Sequence, residues 1–126
     1  MGHVSHDTYH RYAEHARLEL FRSAGCSLDR LLAEGMAPAL LESHIWFRKE
    51  LTVGDEVEVA CVPTFGAGKT FALGNTITHD GVVSAEITCT LGLIDLTARK
   101  LLPGPRDRLT ALAAEPHVLL GNTTRE

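Results

Sequence analysis

The chain has 126 residues, 44% of them apolar, and a formal charge of −4. That is enough for one domain with a buried core and too little for two. The mild negative charge gives no general pull toward nucleic acid or anionic lipid, so neither is expected as a partner. Cys26, Cys61 and Cys89 are too widely spaced for a disulfide framework or a zinc pattern, and they fit a reducing cytoplasm. No apolar run approaches the roughly 20 residues that a membrane-spanning helix needs, and the polar, histidine-rich opening does not read as a signal peptide.

Four of the seven histidines, His3, His6, His10 and His15, fall within the first fifteen residues. Behind the first pair, Tyr9, Tyr12, Ala13, Ala16 and Leu20 recur at helical spacing and predict an amphipathic helix over 7–24. Ser5 or Asp7 can cap its start, and Gly25 can stop it. A short helix over 28–34 follows Ser27 as cap and ends at Gly35. From residue 44 the period falls to two. "SHIWFRKEL" (43–51), "DEVEVACV" (55–62), "KTFALGNTITH" (69–79) and "VVSAEITCTLGLID" (82–95) each carry one apolar side, as strands of an antiparallel sheet do. "GAG" (66–68) and "DG" (80–81) are the hairpin turns. Residues 55–95 therefore read as a three-strand meander, with 44–52 as another strand of the same sheet. Phe47 is expected in the core, and Trp46, facing the other way, at an interface or groove. After Pro103 and Pro105, "RDRLTALAAE" predicts a short surface helix, and the chain from about 116 reads as a loose tail. The economical packing is one α+β domain, 1–126, whose long helix buries its stripe on the odd-numbered face of strand 82–95.

These pieces, in this order, resemble a known family. "GHVSHDTYHRYAEHARLELFRSAG" is similar to the opening Gly-His-Val-Asn-Asn-x-x-Tyr pattern of the hotdog-fold acyl-CoA thioesterases, the 4-hydroxybenzoyl-CoA thioesterase-like group. Gly2, His3, Val4, Tyr9, Tyr12, Glu14, Ala16 and Arg17 keep it, and Ser5-His6 replaces the Asn-Asn pair. "FRKELTVGDEVEV", "FGAGKTFAL" and "LIDLTARKLLPGPRDRL" resemble the later motifs, so the similarity spans roughly residues 2–110. The resemblance implies a long helix wrapped by a curved antiparallel sheet, a homodimer or dimer of dimers, and a site built between two protomers. It also implies a strand ahead of Gly2 ending in Asp-x-x-Gly-His, with that Asp as the catalytic carboxylate. Met1 stands directly before Gly2, so the 126 residues hold neither.

Thioester hydrolysis needs an oxyanion donor, a base and a groove. A helix start supplies the first through unpaired backbone N–H groups and its dipole. The amides near Thr8 and Tyr9 are the candidates. His6, with an ordinary pKa near 6.5, can act as base, and Asp7 can orient it or serve as the carboxylate. The resemblance brings the hairpin of one protomer to the helix start of the other. Thr70 would then contact the thioester region, Gly66 and Gly68 would allow close approach, and Lys69, Arg99 and Lys100 would meet coenzyme A phosphates. Coenzyme A enters as part of the substrate, whether acyl-CoA or acyl-carrier protein is used, and no separate cofactor is expected.

Plainer readings compete. His6 and Asp7 can be a capping pair with no chemistry. His6 and His10 lie four apart, but no cysteine or carboxylate completes a metal set. "GAGKT" imitates a phosphate loop, yet Pro63 stands where its first glycine belongs and a strand follows it. Arg17 and Glu14 read as helix-surface charges, with Arg17 able to pair across a dimer. The expected function is thioester hydrolysis. The alternatives are a non-catalytic acyl-CoA-binding hotdog protein or a hotdog enoyl hydratase.

Overall fold

The computed structural model of the chain describes residues 6–52 and 54–120. The long helix, α1, spans His6–Ala24. It stops where expected. Gly25, at φ +83°, takes the left-handed C′ position. Its N–H donates to Arg22 O at 3.1 Å and that of Cys26 to Phe21 O at 3.0 Å, which satisfies two carbonyls of the last turn. The second helix, α2 (Leu28–Ala33), has Ser27 at its N-cap, although the Ser27 hydroxyl makes no capping bond.

The sheet contains β1 (Met36–Phe47), β2 (Glu58–Phe65), β3 (Thr70–His79), β4 (Val82–Asp95) and the short β5 (Lys100–Leu101). Their order is β1-β4-β3-β2, with β5 on β4, and every neighbour is antiparallel. The meander β2-β3-β4 and the β4 boundaries match the sequence reading. So does the Asp80–Gly81 turn, where both residues have positive φ (54° and 77°) as a two-residue type I′ turn requires.

Four expectations need correction. The strand assigned to 44–52 runs instead from Met36 to Phe47. "MAPALLE" does not alternate and carries Pro38, but β4 offers it a partner along its whole length, from Met36↔Asp95 to Phe47↔Ala85. Proline is tolerated because β1 is an edge strand, and an irregularity between Leu40 and Glu42 absorbs the broken pattern. The strand ends because the Arg48 and Lys49 amides both donate to Ser84 O, at 2.8 and 3.0 Å. Second, the strand placed at 55–62 is β2 at 58–65, since Asp55 caps a turn by accepting the Thr52 N–H at 2.8 Å. Third, Phe47 is half-exposed like Trp46, although its ring meets Tyr9. Fourth, the tail from 116 includes a helical turn. Helices α3 (Pro105–Leu112) and α4 (Pro116–Leu119) close the chain, with Leu109 and Leu119 fully buried.

Leu73, Ile77, Ile87, Leu91 and Leu93, from the helix-facing side of β3 and β4, are almost wholly buried and form the centre of the core. The odd-numbered face of β4 is covered as expected, but α1 runs closest to β2 and then β3. Its buried line is Tyr9, Ala13, Phe21 and Ala24, while Tyr12 and Leu20 are only partly buried. The helix is thus rotated from the stripe read in the sequence, and Arg17, four residues from both Ala13 and Phe21, falls on the inward line.

Candidate functional site

The first turn of α1 is held by aromatic packing. The Tyr9 ring meets Phe47 edge-on at 5.0 Å and Tyr12 at 6.5 Å. The Leu51 backbone hydrogen-bonds its phenol oxygen, and burial pushes its pKa up. The Tyr9 side chain is therefore committed to the core, which leaves the backbone amide as its candidate contribution. The Thr8 hydroxyl accepts from Arg11 Nη2 at 3.3 Å. His6 and Asp7 open α1, but their side chains, like Ser5, lie outside the described residues.

Gly66, Gly68, Lys69 and Thr70 are exposed in the β2–β3 connection. The chain does not bring them to the helix start. Phe47, beside Tyr9, pairs with Ala85 of β4, whereas Thr70 pairs with Gly92. Seven residues of strand separate the two levels, about 23 Å at the usual rise. The helix agrees: Phe21, not Tyr9, meets Phe71 at the hairpin end, at 6.5 Å. Arg99 and Lys100 lie at that same far end, where Leu101 of β5 pairs with Ile94. Arg99 is fixed at φ +61° in a turn whose Thr97 and Ala98 amides donate to Asp95 Oδ1, at 2.8 and 3.0 Å. The sequence-predicted residues therefore form two groups at opposite ends of one sheet.

Two hollows flank α1. One, about 360 Å³, lies on the β1 side between His10, Ala13, Glu14 and Arg17 of the helix and Pro38, Leu40 and Cys89 of the sheet. Its polar groups form a chain: His10 Nε2 to Ser43 Oγ at 3.4 Å, Ser43 Oγ to Cys89 Sγ at 3.8 Å, Cys89 Sγ to Arg17 Nη1 at 4.0 Å. The other, about 690 Å³, is mostly apolar and runs along the β2 edge past Tyr12, Leu20, Val59 and Cys61. Burial pushes the Cys61 thiol up to about 11, so it stays protonated at neutral pH and is a poor nucleophile. The sequence reading missed Ser43 and Cys89 as cleft residues and placed Arg17 on the surface. The signal for Arg17 was present in the four-residue spacing Tyr9–Ala13–Arg17–Phe21. Among the described residues no three His, Cys, Asp or Glu side chains are placed to hold a metal ion, and no helix is long and apolar enough to cross a membrane.

A long helix laid on an antiparallel sheet is the arrangement of the hotdog class, and comparison with known proteins agrees. Residues 1–114 match the sequence profile of the thioesterase-like superfamily, and the chain belongs to that family. Among solved structures, a hypothetical protein of Aquifex aeolicus is 25% identical, with TM-score 0.78 over 88% of this chain and 86% of that one. A 1,4-dihydroxy-2-naphthoyl-CoA thioesterase from Synechocystis is 23% identical, with TM-score 0.77 over 88% and 83%. A Staphylococcus aureus protein solved in complex with CoA is 19% identical, with TM-score 0.81 over 100% and 78%. None of the curated proteins matches this chain.

Proposed function

We propose that this protein hydrolyses acyl thioesters of coenzyme A at a site shared by two copies of the chain. Membership of the thioesterase-like superfamily supports the reaction class. The neighbours that carry CoA or act on a CoA thioester support coenzyme A, rather than a carrier protein, as the thiol. The observation that carries the shared site is the separation of the helix start from the hairpin and its basic residues by about 23 Å within one chain.

A two-fold axis resolves that separation. β1 is an edge strand, and Leu40, Leu41, Trp46 and Phe47 along it each leave 48–50% of their surface exposed. Antiparallel pairing of two β1 edges sets the Phe47 end of one beside the Met36 end of the other. Each helix start then faces the end of the partner that carries Gly66–Thr70, Arg99 and Lys100. A side chain at Gly66 or Gly68 would meet nothing within 4 Å among the described residues, and neither has a left-handed φ, so nothing described in the protomer calls for glycine there. Close approach of a second molecule does.

In this site the amides of Thr8 and Tyr9 bind the carbonyl oxygen. His6, oriented by Asp7, takes a proton from water as its oxygen attacks the carbonyl carbon. The tetrahedral intermediate collapses by breaking the C–S bond. The thiolate of coenzyme A takes up the proton, and the free acid leaves. One positioned donor is worth about 2.7–4 kcal/mol in such a transition state. Lys69, Arg99 and Lys100 meet the phosphates.

Mixing tests the arrangement. His6→Ala impairs one half of each site, and the paired change Lys69→Ala with Thr70→Ala impairs the other. Unfolded together at equal amounts and refolded, the two chains form hybrid dimers holding one intact site, and about a quarter of wild-type thiol release returns. No recovery above the sum of the separate variants would refute the shared site. Binding of acyl-CoA without any thiol release would favour the non-catalytic reading.

A further inference from the structure

We infer that the cleft between α1 and β1 selects an acyl group with an anionic tip, read by Arg17; this rests on the thioesterase reading and names its substrate class. The observation is a cation that has no counter-ion among the described residues. Arg17 is only partly exposed, and its one hydrogen-bonding contact among the described residues is the Cys89 thiol at 4.0 Å. No carboxylate there lies within 4.0 Å of the guanidinium. Glu14 also borders the cleft, three residues away on the same helix, but it is exposed and forms no ion pair with Arg17. Withdrawing a guanidinium from water without an acid beside it is costly, and a bound anion removes that cost.

The placement suits an acyl tip. Arg17 lies two turns and more beyond Thr8 on α1, about 13 Å along the axis. Helical side chains lean toward the N-terminus, so its guanidinium reaches back into the space shared with His10. A short linear acyl group held by its carbonyl at the first turn would therefore end near Arg17. The walls are Ala13, Pro38 and Leu40, which fit the methylenes between. Ser43 and His10 offer hydrogen bonds beside the tip, 3.4 Å from one another. The hollow of about 360 Å³ is ample for such a group and lies within the usual range for small-molecule sites. The residues that line the larger groove beside β2 include no arginine or lysine.

The test compares glutaryl-CoA with valeryl-CoA, which differ at the tip by a carboxylate against a methyl group. Thiol release gives kcat and KM for each, and the thioether analogues of both give dissociation constants by calorimetry. A charge-assisted hydrogen bond predicts a preference of about tenfold to a hundredfold for the glutaryl compound, seen in KM and in binding. In Arg17→Met the ratio falls toward one, and in Arg17→Lys it is partly restored. Equal use of the two compounds by the wild-type protein, or a preference for valeryl, overturns the inference while leaving the thioesterase reading standing. Tighter binding of the glutaryl analogue with no thiol release from either ester sustains the inference and refutes hydrolysis. Failure of both analogues to bind overturns both.

Discussion

Tyr9 ties the helix start to the rest of the molecule, and Tyr9→Phe measures how firmly. The substitution keeps the ring against Phe47 at 5.0 Å and removes only the phenol oxygen. That oxygen is the partner of the Leu51 backbone, and Leu51 itself is 1% exposed. A buried backbone group left without its partner costs about 1–3 kcal/mol. For a domain of this size that lowers Tm by roughly 4–15 °C. Thermal unfolding followed by circular dichroism, at one fixed protein concentration because association shifts Tm, reads the change. Tyr9→Ala removes the ring as well and should cost about 3–5 kcal/mol in total. A second arm uses pH. Burial raises the Tyr9 pKa above its ordinary 10.0, so the folded state holds the proton that the unfolded state releases. The contribution is intact below pH 10 and is lost as pH rises through the raised value. Tyr9→Phe lacks that part of the alkaline decline. If Tyr9→Phe melts within about 1 °C of wild type, the phenol oxygen is not satisfying a buried group, and the account of how the α1 start is anchored is wrong.

Three further outcomes follow from the same geometry. Cys61 is raised from 9.0 to about 11 by burial, so stability should fall between pH 9 and 11, as the unfolded thiol ionises and the folded one does not. The loss is about 2–3 kcal/mol, and urea midpoints across that window should flatten in Cys61→Ala. His79 is also raised above its ordinary 6.5, but by partners that favour its charged form: its Nδ1 donates to Glu56 O at 2.7 Å, with Asp80 and Asp55 nearby. Its stabilising effect is full below pH 6.5 and fades as pH climbs through the raised value. NMR titration of the ring should give a midpoint above 6.5, and a midpoint at or below it would contradict the contact. Gly25→Ala should destabilise by about 2 kcal/mol or more. The site has φ +83°, and the new Cβ would sit 2.6 Å from Ala114 Cβ and 2.7 Å from its nitrogen. An unchanged Tm would show that the α1 terminus and the 113–115 segment do not pack together.

Local pattern reached far into this fold. Helical spacing from Tyr9 to Leu20 and glycine at 25 delimit α1 to within a residue, because caps and amphipathic faces are properties of neighbouring residues. The alternation of 82–95 marks β4 from end to end, since a strand buried on one side must alternate. The same logic failed at Met36–Phe47. There the strand exists because β4 offers it hydrogen bonds, and nothing within "MAPALLE" requires it. Leu119 and α4 were likewise invisible, being buried only by what folds over them.

The candidate site divides along the same line. The helix start behind His6 and Asp7, proposed as the oxyanion site, is a local feature and can be picked out from the order of residues alone. Whether Gly66, Thr70 and Arg99 stand beside it is a question of distance across a sheet, and only tertiary structure sets them at the opposite end of β4. The inward turn of Arg17 is of this kind too. Its spacing allowed two faces of α1, and the helix settled with Ala13 and Phe21 against the sheet, carrying the guanidinium in with them. Sequence determines which faces a segment can offer, whereas packing against the other segments decides which of them is used.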